Sequence, residues 1–201
     1  MLKYLINKKF TGDISLQDAD ILVQYSNQSK SILEFGAGAS TQLFAQSGAD
    51  YIVSVELVTY WSELTKKRLT QIQNATPVVF IDNFSNIRHD FDLIFVDGQD
   101  SLRKEFAITT WKLLKPNGIM IFHDTRRAQD FVQATEVAQF FHNEISNIEV
   151  NAKASDNVSS NMTILHKKEF EPYINWNYSE GKPSWAYGRP DDNEYKLWEY
   201  K

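Results

Sequence analysis

The chain has 201 residues, a net charge of −5 and no cysteine. That length suits one domain, able to bury about 70% of the surface its unfolded chain exposes. The missing cysteines exclude disulfides, thiolate metal sites and a cysteine nucleophile, and the acidic balance argues against a broad surface for nucleic-acid backbone. No apolar run approaches the ~18 residues of a membrane span, and Met1–Phe10, with three lysines, lacks a signal-peptide core. A cytoplasmic location and no membrane partner are the simplest expectations.

In chain order, Ser15 reads as the N-cap of a first helix whose Leu16, Ala19, Ile21, Leu22 and Tyr25 share an apolar face. A repeating pattern follows, of a short β-rich apolar run, a turn and a helical stretch. The strand candidates are 31–35, 51–56, 77–81, 91–96 and 118–123, and the intervening helices are 41–47, 60–74, 101–114 and 127–143. Near-continuous apolar strands alternating with helices predict a parallel sheet covered on both faces. Lys115-Pro116-Asn117-Gly118 reads as a turn that stops one helix and starts the fifth strand.

Beyond Asn143 the alternation stops. Segments 147–153 and 161–166 read as two strands joined by the polar loop 154–160, too short for a crossover helix, so the pair is expected to be antiparallel. One domain is therefore expected over 1–166. From Lys167 the composition changes, and Phe170, Tyr173, Trp176, Tyr178, Trp185, Tyr187, Tyr195, Trp198 and Tyr200 crowd an aperiodic segment. It is expected to be an irregular tail anchored on its own domain or on a second subunit of a homo-oligomer.

In an open parallel α/β sheet, ligands bind at the carboxyl ends of the strands. Those ends are Glu34-Phe35-Gly36-Ala37-Gly38, Glu56-Leu57, Asp82-Asn83-Phe84, Asp97-Gly98-Gln99-Asp100 and His123-Asp124-Thr125. Gly36 and Gly38 let the backbone turn sharply and approach a ligand closely. Ser40 or Thr41 caps the following helix, whose free N–H groups favour an electronegative ligand. Glu56 lies 20 residues beyond Gly36, the usual spacing for a carboxylate that accepts hydrogen bonds from a ribose. Asp82 reads either as an acceptor for an adenine amino group, with Phe84 or Leu57 against the base, or as half of a turn-forming Asp-Asn pair. Together these residues describe a pocket for an adenosine-containing ligand. Thr41 stands where a dinucleotide fingerprint needs a glycine, and no G-x-x-x-x-G-K-[ST] phosphate loop is present.

The ordered segments 32–41, Glu56, 91–98 and 114–118 resemble the motifs of class I S-adenosylmethionine (SAM)-dependent methyltransferases, over roughly residues 14–166. The Gly-x-Ser-Thr and Val-Asp-Gly elements are most similar to the small-molecule O-methyltransferase branch. The resemblance implies a Rossmann-like, doubly wound α/β fold. Its seven-stranded sheet is mostly parallel, with the last strand antiparallel and inserted between the fifth and sixth, and with helices on both faces. It implies Glu34, Gly36 and Gly38 at the methionine end of SAM, Glu56 on the ribose and Asp82 on the adenine. Ser40 stands where that family usually has a third glycine.

Methyl transfer is an in-line displacement, so the enzyme's tasks are to position the nucleophile and remove its proton. Asp97 and Asp124 end neighbouring strands, and two carboxylates with a neutral oxygen donor make a Mg²⁺ site that lowers the pKa of a bound hydroxyl. His123 and Thr125 flank Asp124, where metal-dependent relatives commonly have a further Asp, Glu or Asn. The metal-free alternative is His123 as general base. His89, His142 and His166 are expected to have no catalytic role. Arg103, Lys104, Arg126 and Arg127 read either as attractors for an acidic substrate or, more simply, as solvated helix starts. The leading expectation is methylation of a small-molecule hydroxyl, such as that of a sugar or secondary metabolite. The alternatives are a non-catalytic binding module on the same fold, or methylation of protein or nucleic acid.

Overall fold

The computed structural model describes residues 14–85, 87–151 and 162–169. Its elements in order are α1 (Leu16–Ser26), β1 (Ser31–Phe35), α2 (Ala39–Phe44), β2 (Tyr51–Val55), α3 (Thr59–Leu69), β3 (Val78–Ile81), β4 (Phe91–Val96), α4 (Arg103–Thr110), β5 (Leu114–Phe122), α5 (Ala128–Phe140), β6 (Ile145–Asn151) and β7 (Met162–Lys167). The strands form one sheet in the order β3-β2-β1-β4-β5-β7-β6. β1 pairs in parallel with both β2 and β4, as do β2 with β3 and β4 with β5, while β7 runs antiparallel between β5 and β6. This is the expected Rossmann-like sheet. The loop 154–160 and the aromatic tail from Phe170 lie outside the described residues.

Alternation along each strand sorts the core onto two faces. Leu33, Phe35, Val55, Ile94, Val96, Met120 and Phe122 point to one side, where they meet Phe106, Ala107 and Trp111 around α4 together with Ala134 and Val137 of α5. Ile32, Ile52, Leu93, Phe95, Ile119 and Ile121 point to the other, against Ala19 and Leu22 of α1 and Leu43 and Phe44 of α2. Both faces of the central strands are dry, which is why those strands read as unbroken apolar runs. Full burial of such side chains is worth about 1.5–3 kcal/mol each.

Two local features differ from the sequence reading. The Lys115–Gly118 turn does not precede β5 but interrupts it. Phe91 of β4 pairs with Leu114 and Leu93 with Ile119, so the extra residues form a bulge, with Asn117 at φ 60°. Helix α3 ends at Leu69 instead of reaching Asn74, with Thr70 as its C-cap. Neither change moves the strand ends that build the site. The chain reverses direction across the sheet between β1 and β4, and the crevice at their carboxyl ends is where ligands of such sheets bind.

Candidate functional site

A cleft of about 470 Å³ opens at those carboxyl ends, lined by Ile14, Gly36 to Ser40, Val55 to Val58, Trp61, Arg68, Asp97 to Gln99 and Phe106. Its wall is the β1–α2 turn. Gly36 has φ +93°, and a Cβ there would lie 2.7 Å from the Asp97 carbonyl oxygen and 2.9 Å from its carbon. Only glycine fits, because the turn presses against the end of β4. Gly38 is different: its φ of −177° is extended, and a Cβ there would meet nothing within 4 Å. The space in front of Gly38 belongs to the cleft.

Glu34 anchors this turn from below. It is fully buried and accepts hydrogen bonds from Ser40 Oγ, from Thr41 Oγ1 at 2.6 Å and from Ser54 Oγ of β2 at 2.8 Å. Burial lifts its pKa from 4.5 to about 7, against the lowering effect of the three hydroxyls, and Asp97 adds to the rise. Thr41 Oγ1 also accepts from the Gly38 amide at 2.8 Å. The residue that broke the dinucleotide fingerprint is thus a strut between the turn and Glu34. Neither Glu34, Phe35 nor Thr41 is among the residues lining the cleft. Their carboxylate, ring and hydroxyl are committed to shaping it. Phe35 stacks on Phe106, 4.4 Å between centroids.

Glu56 stands at the opposite side of the turn. Its Oε2 accepts from the Ala37 amide at 2.9 Å and its Oε1 from the Val58 amide at 2.7 Å. Each oxygen has a second lone pair, so this cleft-lining carboxylate has the capacity to receive two ribose hydroxyls. Leu57, Val58 and Trp61 are 40%, 51% and 48% exposed and give the rim beside Glu56 an apolar surface. Asp82, Asn83 and Phe84 are not brought into the cleft lining. Asn83 Oδ1 accepts from the Ser85 amide at 2.8 Å, closing a local turn, and Phe84 packs edge-on against Phe35 and Phe106. Its aromatic ring supports the cleft floor from beneath.

Asp97, His123 and Asp124 do converge, with one ligand-type atom from each lying within 4.8 Å of the others. Asp97 lines the cleft, whereas His123 and Asp124 stand behind it. His123 is buried, with Nδ1 3.1 Å from Asp97 Oδ1 and 3.6 Å from Asp124 Oδ1, and Nε2 3.6 Å from Asp18 Oδ2. Burial by itself would lower its pKa, but Asp18, Asp97 and Asp124 overcome that and hold it up to about 10. The carboxylates hold the ring toward its imidazolium form, which has no lone pair to offer, and the ring does not line the cleft, so the geometry does not favour His123 as general base. Asp18 is placed by the cap of α1, where Ser15 Oγ donates to Asp18 Oδ2 at 2.7 Å and accepts from the Asp18 amide.

The sequence reading missed the hub of this cluster. Arg103, the first residue of α4, is 3% exposed. Its Nη2 lies 3.0 Å from Asp97 Oδ1, 3.2 Å from Asp100 Oδ1 and 3.4 Å from Asp124 Oδ2, and its Nη1 lies 3.4 Å from Asp130 Oδ1. Nη1 also donates to the His123 carbonyl at 2.9 Å and Nε to the Gly98 carbonyl at 3.2 Å. Neither expectation for Arg103 holds, since it is not a solvated helix start and cannot reach a substrate. Arg127 extends the network to Asp124, Asp130 and Asp100 at 2.8, 2.6 and 3.0 Å. Lys104 pairs with Glu136 at 2.8 Å. His166 pairs with Glu149 and His89 packs on Tyr51, both away from the cleft residues.

Such a cleft, a glycine turn facing an acidic ribose-type acceptor above a doubly wound sheet with an inserted antiparallel strand, defines the class I methyltransferase architecture. Residues 33–125, from β1 through the end of β5, match the family model described as a methyltransferase domain. Over that segment, a little under half of its length, the chain is similar to methyltransferase domains, and its sheet has the Rossmann-like methyltransferase fold. Solved structures similar to it include an O-methyltransferase from Bacillus cereus in complex with SAH, the demethylated product of SAM. That match has a TM-score of 0.63 and 15% identity, and covers 78% of this chain and 83% of that one. The O-methyltransferase TomG from Streptomyces achromogenes, involved in tomaymycin synthesis and solved with SAM, has a TM-score of 0.57 and 16% identity, covering 77% and 81%. The N-methyltransferase NodS from Bradyrhizobium japonicum has a TM-score of 0.55 and 18% identity, covering 75% and 94%. A search of curated proteins by sequence gives no match. Among the described residues, no helix is long and apolar enough to cross a membrane.

The residues present fit SAM. The open space at Gly38 takes a ligand against the turn, Glu56 offers two acceptors, and the apolar rim suits a base. They do not fit a divalent metal, because the buried Arg103 guanidinium stands between the two carboxylates that would ligate it, on one oxygen of each.

Proposed function

We propose that the chain methylates a hydroxyl of a small molecule, with SAM held between the Gly36–Ser40 turn and Glu56 and the acceptor beside Asp97. When bound, SAM supplies an electrophilic methyl group carried on a sulfonium. Glu56 would accept the ribose hydroxyls. The turn's backbone would hold the methionine end, and Leu57, Val58 and Trp61 would shield the base from water. Asp97 is the cleft residue best placed to accept a hydrogen bond from the acceptor hydroxyl and to take its proton as the new bond to carbon forms. Its Oδ1 is held at 3.0 Å by Arg103 and at 3.1 Å by His123, so it is fixed before any substrate arrives. That preorganisation costs no reorganisation during transfer.

The observation that carries this reading is Asp97 at the floor of the same cleft that holds Gly38 and Glu56. Two similar structures being O-methyltransferases supports the choice of oxygen, and the acidic chain argues against nucleic acid as the acceptor. The test is methyl transfer from radiolabelled SAM to panels of hydroxyl, amino and carboxylate acceptors, with small molecules, protein and RNA offered separately. Label is expected in small hydroxyl compounds and lost by at least roughly tenfold in Asp97→Asn with SAM affinity retained. Label confined to amines, protein or RNA would overturn the acceptor, and unchanged turnover in Asp97→Asn would overturn its role.

A further inference from the structure

We propose that Arg103 is a resident cation standing where a divalent metal would bridge Asp97 and Asp124, so that this chain fixes its acceptor-side carboxylates without a metal ion. The proposal rests on the methyltransferase reading only for what those carboxylates serve; the occupancy of the junction is independent of it.

The strand-end cluster has the spacing of a metal site, with Asp97, His123 and Asp124 each offering one atom within 4.8 Å of the others. A Mg²⁺ ion takes oxygen ligands at about 2.0–2.1 Å in near-octahedral order and holds several waters. Here Asp97 Oδ1 already faces two nitrogens, Arg103 Nη2 at 3.0 Å and His123 Nδ1 at 3.1 Å. Asp124 Oδ2 likewise faces Arg127 Nη2 at 2.8 Å and Arg103 Nη2 at 3.4 Å. An ion bound to Asp97 Oδ1 and Asp124 Oδ2 would sit against the Arg103 and Arg127 guanidinium groups.

Arg103 has nowhere to retreat. Besides the carboxylates, its Nη1 and Nε donate to the backbone carbonyls of His123 and Gly98, and its side chain is 3% exposed. The same contacts tie the ends of β4 and β5 to the start of α4. A further protein oxygen that might complete a metal site is directed elsewhere: Thr125 Oγ1 receives a hydrogen bond from Thr163 Oγ1 at 3.1 Å in the buried interior. The guanidinium thus serves as a positioning group with a fixed fork geometry and permanent charge. It orients Asp97 from behind while that residue's flank faces the cleft.

Titration of the full chain with Mn²⁺, followed by the electron paramagnetic resonance of free ion, tests this directly. Wild type is expected to hold no Mn²⁺ at millimolar concentration, and its SAM affinity is expected to be unchanged by chelator or by added Mg²⁺. Arg103→Gln, which removes the charge and leaves a shorter polar side chain, is expected to gain a site roughly tenfold or more tighter than wild type. That site should vanish in the double variant with Asp97→Asn, and Arg103→Lys should not create it. Stoichiometric Mn²⁺ on wild type that Asp97→Asn or Asp124→Asn removes would overturn the proposal, whether or not Arg103→Gln folds. So would a folded Arg103→Gln that binds no ion. Failure of the methyltransferase reading would show separately, as absence of SAM binding in wild type.

Discussion

Two glycines that look equivalent in the sequence have opposite duties. Gly36 is required by the protein itself, since its positive φ and the 2.7 Å approach to the Asp97 carbonyl exclude any side chain. A Cβ at Gly38 would meet nothing among the described residues, and the open space there is the cleft's. Gly36→Ala should therefore cost roughly 3 kcal/mol of stability from strain and overpacking. Gly38→Ala should leave the melting temperature near wild type, within about ±0.5 kcal/mol, while weakening SAM. Melting and SAM titration of the two variants check this, and a Gly38→Ala that unfolds while binding SAM normally would contradict it. The same scale shows what the sequence concealed. Glu56, Gly36 and Asp97 were legible because turn chemistry and spacing announce them. Arg103 was not, because its partners Asp97, Asp100, Asp124 and Asp130 converge from separate segments and only the folded sheet brings them together.

At the scale of the element, the β1–α2 junction is held by one buried carboxyl. Glu34 gathers hydroxyls from the turn, from α2 and from β2, and burial raises its pKa from 4.5 to about 7. The folded state therefore binds a proton that the unfolded chain releases between those values. The contribution to stability is fully present below pH 4.5 and is lost as pH rises through about 7, amounting to about 3 kcal/mol across that window. Denaturant melts of wild type and Glu34→Gln from pH 5 to 8 should show the variant with the flatter profile, and parallel profiles would contradict the assignment. Strand runs such as 31–35 and 91–96 were legible because both faces of those strands are apolar. The bulge at Lys115–Gly118 was not, because a Pro-Asn-Gly run signals a turn whether it ends a strand or interrupts one.

Across the whole molecule, the alternation of apolar runs and helices implied a parallel sheet, and the short final connection implied an antiparallel pair. The order β3-β2-β1-β4-β5-β7-β6 came from resemblance alone, since local patterns carry no information on which strands become neighbours. The order matters for function: it sets β1 beside β4, and so puts the glycine turn, Glu56 and Asp97 around one cleft. Behind it, the charged cluster of Asp18, Asp97, Asp124, Asp130, His123 and Arg103 ties α1, α4 and α5 to the same strand ends. Binding and rigidity are thereby built on shared residues. Calorimetric titration of SAM into wild type and Glu56→Ala tests the central claim most directly. One SAM per chain is expected for wild type, with affinity falling roughly 10- to 100-fold when the two acceptor oxygens are removed. No heat from wild type at millimolar SAM, or undiminished binding by a folded Glu56→Ala, would contradict it.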